Sequence, residues 1–215
     1  MNEDRKHHPR VAFGRDYFQI VPERAALLVI DMQNSFVADG AVFQSPDGLR
    51  IIPNVNELVA RCRRSQIPVI WTQSDHSWPG GGLILDKHPV IRRSRELWLG
   101  DSSMDLYPDM TQPAAGEHRI VKHKYDAFHD TDLDTALRNL QRDTLFITGV
   151  ATEVCCESTT RAAFFHDYKV VFLRDATGAF DPAIQDMTCD RMDTFYARAM
   201  YTKELLAILD NGSEP

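Results

Sequence analysis

The sequence predicts an α/β protein, a three-layer, doubly wound sandwich around a mostly parallel sheet of about six strands. Two observations carry that prediction. Runs such as Ala25–Ile30 are apolar at every position, the pattern of strands buried on both faces in a parallel sheet. Such runs alternate with segments of helical periodicity, as a series of βαβ units requires. Crossovers of one hand then collect the carboxyl ends of the strands along a single edge.

Residues 1–23 are polar and read as an N-terminal arm; residues 24–215 read as a single domain. The first strand, Ala25–Ile30, runs straight into Asp31. Residues 51–64 place Ile51, Ile52, Val55, Leu58 and Val59 on one face and end in Arg61, Arg63 and Arg64, an amphipathic helix with cations at its negative end. A second strand over 67–71 feeds a Gly-rich loop. Residues 83–116 are loop-rich, with one short helical piece near 93–99. A third strand covers 119–122. A helix opens at Thr131 with a capping pattern and runs to about Leu140. A fourth strand over 145–148 meets a tight turn at Gly149 and a helix with Thr152 as N-cap. A fifth strand over 169–173, a helix over 182–198, a short strand over 199–201 and a helix over 203–209 complete the chain.

Composition narrows the function. A net charge of -7 offers no general attraction to nucleic acid or to an anionic membrane. No apolar run is long enough to span a bilayer. Four cysteines without metal-ligand spacing, in a chain with no apparent export signal, predict reduced thiols in the cytoplasm.

Three residues at predicted strand ends carry candidate chemistry: Asp31, Lys122 and Cys155. With Thr152 as N-cap, Cys155 falls at the third helical position, where the helix dipole and free amides favour a thiolate. Those amides are also placed to hold an oxyanion. Asp31 can accept the thiol proton, and Lys122 can hold both anions. Each has a plainer reading. Cysteines on amphipathic helices are commonly buried hydrophobes, an aspartate after a strand commonly caps a loop, and a lysine at a strand end is commonly solvated.

Four segments decide between these readings: LLVIDMQNSF (27–36), PVIWTQSDH (68–76), IVKHKYDAF (120–128) and GVATEVCCESTTRAAF (149–164). Through them the chain resembles the isochorismatase-like cysteine hydrolases, and its last two segments are most similar to the ureidoacrylate and N-carbamoyl amidohydrolase branch. The resemblance implies Asp31 as general base and acid, Lys122 as its electrostatic partner and Cys155 as nucleophile. It also implies a cis peptide between Val150 and Ala151, an oxyanion hole from the amides of Ala151 and Cys155, and a homo-oligomer, dimer or tetramer. The implied reaction is cleavage of a C–N bond in a small-molecule amide or ureido (carbamoyl) substrate through a thioester-type intermediate, with no cofactor. Isochorismatase-type vinyl ether hydrolysis, which needs no thiol, and a non-catalytic binding member of the fold are the alternatives.

Phe36, Gln73, Trp78, Tyr125, Phe128 and Thr152 are the candidate substrate-binding residues; Arg92 and Arg93 read as a solvated pair. The chain also departs from the family. Ser74 stands where nicotinamidases carry a metal-binding Asp, leaving only Asp75 and His76 nearby, so no metal is expected. Glu153 stands where Asn is common, either beside the thiol or simply as an acid at a helix N-terminus.

Overall fold

Strand β1 (Ala25–Ile30) is buried throughout, and its alternate side chains enter two different cores. Ala25, Leu27 and Val29 face one layer; Ala26, Leu28 and Ile30 face the other. The apolar run is continuous because both faces are covered. The structure is a computed structural model in which residues 17–77 and 82–211 are described. Trp78 and most of the expected N-terminal arm lie outside the described residues.

Five further strands, β2 (Val69–Ser74), β3 (His118–Lys122), β4 (Thr144–Val150), β5 (Lys169–Gly178) and β6 (Arg198–Met200), complete a sheet ordered β3-β2-β1-β4-β5-β6. Every pairing among them is parallel, so the sheet is wholly rather than mostly parallel. Helices α1 (Asn34–Val37), α2 (Gly48–Arg64), α3 (Gly82–Lys87), α4 (Pro89–Ser94), α5 (Leu133–Asn139), α6 (Glu157–Phe165), α7 (Gln185–Phe195) and α8 (Thr202–Asn211) supply the covering layers. Ile51, Val55, Leu58 and Val59 of α2 and Leu205 and Leu209 of α8 enter one core. Leu133 and Leu137 of α5, Ala163 of α6 and Cys189 and Met192 of α7 enter the other.

Several boundaries differ from those read in the sequence. β2 continues through polar Thr72, Gln73 and Ser74, because parallel pairing with β3 persists to the Ser74–Lys122 register. β5 likewise runs on to Gly178, where it pairs with Val150 beyond a register shift. The helical piece placed near 93–99 lies earlier, as α3 and α4. Pro89 starts α4, and Arg95 and Leu97, with φ of 60° and 54°, stop the helix from continuing.

The turn after β4 is the largest departure. Thr152 is not the N-cap; Ala151 is. Residues Thr152–Cys156 form a wide π-helical turn in which the Ala151 carbonyl accepts from the Val154 and Cys156 amides, both at 3.1 Å, before α6 begins. Thr152 therefore lies inside the first turn, and its buried hydroxyl finds no partner among the described residues.

Candidate active site

Three strand ends converge where the sheet order reverses, the edge at which open α/β sheets bind ligands. Asp31 leaves β1 with φ of 51°, a left-handed conformation that aspartate tolerates better than most residues. Its amide donates to the Thr72 carbonyl at 3.2 Å and its own carbonyl accepts from Gln33 at 2.7 Å. That turn aims the carboxylate along the strand ends, where Thr72 Oγ1 donates to Oδ1 at 2.6 Å and Ser74 Oγ donates to Oδ2 at 2.9 Å. Period-2 geometry puts Thr72 and Ser74 on the same face of β2.

Lys122 ends β3, one strand further out. Its side chain reaches back past Ser74, donating to that hydroxyl at 2.9 Å and to the Lys124 carbonyl at 3.0 Å. It then meets Asp31 Oδ2 at 2.7 Å, with both side chains fully buried. Lys122 Nζ also lies 3.5 Å from Cys155 Sγ.

Cys155 is delivered by the β4 turn. Gly149 has φ of 108°, and a Cβ there would sit 2.0 Å from the Ile30 carbonyl oxygen, so only glycine lets β4 pass this close to β1. The Val150–Ala151 peptide is cis. The Ala151 carbonyl is occupied by Val154 and Cys156 but not by Cys155, and no carbonyl among the described residues takes the Ala151 amide.

The electrostatics depart from the expected thiolate. Burial pushes the Cys155 thiol up to about 12; Lys122 opposes that rise and the hydrogen-bonded Asp31 carboxylate adds to it. Burial thus disfavours the thiolate, against the pull of the Lys122 ammonium. For Lys122, burial disfavours the charge, yet Asp31 and Cys155 overcome this and hold it above its ordinary value. The result is a buried thiol and a buried carboxylate that share one ammonium. Such an arrangement can pass the thiol proton to Asp31 as sulfur attacks, without first forming a free thiolate.

Beside the sulfur lies a cavity of about 170 Å³, lined by Phe36, Phe43, Ile84, Ile91, Leu97, Val154 and Phe180, with Ser74, His76, His88 and Tyr125 as its polar side chains. Of the candidate substrate-binding residues, Phe36 and Tyr125 line this cavity, together with Ala151 and Cys155. Gln73 and Phe128 do not line this cavity. Gln73 donates to the Met104 carbonyl at 2.7 Å and accepts from Arg119. Phe128 stacks on His166 with centroids 5.1 Å apart and packs against Tyr168. Thr152 is buried outside it. Arg92 is exposed and paired with Asp86.

Sequence reasoning missed Thr72 as a carboxylate donor and Ser74 as the bridge between Asp31 and Lys122. Alternation along β2 was the available signal, had the strand been extended far enough. It also missed the apolar wall from α3 and α4 and the His88 Nε2 to Tyr125 hydroxyl contact at 3.1 Å. Glu153 is an acid in the first turn of the Thr152–Cys156 segment, and its Oε1 accepts from the Phe180 and Asp181 amides at 2.9 and 3.3 Å, anchoring the loop that presents Phe180 to the cavity.

The described side chains around Asp75 are engaged within the protein. Asp75 Oδ1 accepts from the Ser77 amide and hydroxyl at 2.7 and 2.5 Å, and Ser74 is committed to Asp31 and Lys122. Burial, with Lys122 nearby, lowers His76 to about 4. Among the described residues no three His, Cys, Asp or Glu side chains converge on a cation position, and no helix is long and apolar enough to cross a membrane.

Comparison with known proteins matches residues 25–204 to the family model described as the isochorismatase domain. The ureidoacrylate amidohydrolase RutB of Cronobacter sakazakii is 33% identical over 195 residues, covering 81% of this chain and 84% of that protein. Nicotinamidase 3 of Arabidopsis thaliana is 31% identical over 175 residues, covering 76% and 78%. The crystal structure of a cysteine hydrolase from Pseudomonas syringae pv. phaseolicola superposes with a TM-score of 0.84 at 26% identity, covering 91% of this chain and 96% of that one.

Proposed function

Since the chain belongs to the isochorismatase family, we propose that it is a cysteine-dependent amidohydrolase cleaving a C–N bond of a small amide or carbamoyl compound. One observation carries this reading. A thiol, a carboxylate and an ammonium from three separate strand ends share one buried hydrogen-bonded cluster, and that cluster opens onto a cavity.

Asp31 takes the Cys155 proton as sulfur bonds to the substrate carbonyl carbon. The oxygen gains the electron pair and is held by the Ala151 and Cys155 amides. Collapse expels the nitrogen, which leaves as ammonia or an amine carrying the proton from Asp31, and a thioester (or S-carbamoyl) enzyme remains. Asp31 then removes a proton from water, the resulting hydroxide attacks the thioester, and the proton returns to sulfur as the acid departs. Lys122, 2.7 Å from Asp31 Oδ2, stays paired with that carboxylate between these transfers. Thr72 and Ser74 fix the direction in which its oxygens point.

The test is ammonia release across a panel of small amides and ureides, with Cys155→Ser and Cys155→Ala alongside. Loss of the nucleophile is expected to lower kcat/KM by at least a thousandfold for every substrate turned over. Iodoacetamide is expected to modify Cys155 and abolish activity, with protection by a substrate. Wild-type turnover in both Cys155 variants refutes the assignment.

A further inference from the structure

We propose that the cavity selects uncharged amides with a compact apolar acyl group, branched alkyl or aryl, and rejects amides whose acyl group bears a carboxylate. This rests on the amidohydrolase reading and names the substrate class for that site.

The chemistry of the wall supports it. Beyond the catalytic end, the lining is aromatic and branched aliphatic, drawn from α1, α3, α4 and the loops carrying Phe43, Leu97 and Phe180. Among the described residues no lysine or arginine side chain lines it. Two nearby cations, Lys122 and Arg92, are committed elsewhere. Lys122 serves Asp31, Ser74 and the Lys124 carbonyl. The Lys124 ammonium lies against Gly82 at the start of α3, and Arg92 pairs with Asp86 in solvent.

His76, on the wall, is uncharged at neutral pH because burial and Lys122 disfavour its protonated form. The remaining polar feature is the His88–Tyr125 contact, able to hydrogen-bond a neutral substituent. A carboxylate entering here would surrender its hydration without gaining a counter-ion. It would also approach Asp31, whose partner cation is already engaged. An apolar acyl group meets none of these costs and gains contact with three phenylalanines already packed together, with Phe36 6.3 Å from both Phe43 and Phe180.

The discriminating pair is 4-methylpentanamide and succinamate, which share a heavy-atom skeleton and differ in ending as an isopropyl group or a carboxylate. With the full-length protein, kcat/KM for 4-methylpentanamide is expected to exceed that for succinamate by at least a hundredfold. The preference is expected to persist between 50 and 500 mM salt, since it arises from burial rather than from surface charge. Phe180→Arg, at a half-buried position on the rim, is expected to narrow the ratio at least tenfold by supplying the missing cation. Succinamate turned over as fast as its neutral isostere overturns the selectivity while leaving amide hydrolysis intact. Ammonia released from neither amide, nor from any member of the wider panel, above the Cys155→Ser level overturns the hydrolase reading and this one with it.

Discussion

Replacing Lys122 with methionine tests the charge arrangement on which the site depends. The substitution keeps length and bulk but removes the ammonium that lies 2.7 Å from Asp31 in a fully buried pair. Breaking such a pair from one side costs about 3–5 kcal/mol, because the surviving charge stays out of water. Two features limit the cost here. Thr72 and Ser74 still donate to the carboxylate at 2.6 and 2.9 Å. The side chain can also escape by taking up a proton, which at pH 7 costs an ordinary carboxyl about 4 kcal/mol.

A loss of about 3–4 kcal/mol at pH 7 follows. At about 2–4 °C per kcal/mol for a chain of this size, that lowers Tm by roughly 6–16 °C. Proton uptake becomes easier as pH falls, with a ceiling near 1.5 kcal/mol at pH 5, so the deficit must shrink on acidification. Urea unfolding of the parent and Lys122→Met at pH 7 and pH 5 measures both quantities. Adding Asp31→Asn to Lys122→Met removes the stranded charge and is expected to recover most of the stability while activity stays absent. A Lys122→Met protein within 1 kcal/mol of the parent at pH 7, or a double variant no more stable than the single, refutes the account.

Other expectations concern different parts of the same architecture. Gly149→Ala, whose Cβ would lie 2.0 Å from the Ile30 oxygen at a φ of 108°, is expected to cost more than 4 kcal/mol, read as a collapse in Tm or in soluble yield. Thr160 is fully buried with no partner for its hydroxyl among the described residues; Thr160→Val is expected to raise stability by about 1 kcal/mol in urea unfolding. Burial raises the Cys62, Cys155 and Cys189 thiols from 9.0 to about 12. Their contribution to stability is therefore complete below pH 9 and is lost as pH rises towards 12, so the urea midpoint is expected to fall steeply above pH 9. His76 acts in the opposite sense. Lowered from 6.5 to about 4, it favours the fold above pH 6.5 and withdraws that support as pH drops through 4; the NMR titration of its ring is expected to show the depressed midpoint.

Much of this molecule was determined by local sequence. Runs such as Leu27-Leu28-Val29-Ile30 can be satisfied only by burial on both faces, and alternating them with amphipathic helices leaves little choice but a parallel sheet with its carboxyl ends aligned. Asp31, Lys122 and Cys155 each follow such a run, but position alone left each a plainer reading, and the four segments resembling the isochorismatase-like hydrolases singled them out. What tertiary structure decided was everything that depends on neighbours distant in the chain. The surroundings of the thiol, buried with Lys122 beside it, were set by side chains distant in the chain and not by its position near a helix start. The length of β2 was set by β3, and with it the placing of Thr72 and Ser74 under the carboxylate. The cavity wall came from α3, α4 and the Phe180 loop, whose apolar residues show no face until they have a surface to pack against. Local periodicity reports which residues must leave water; it cannot report which of them meet, because that depends on how the layers close over one another.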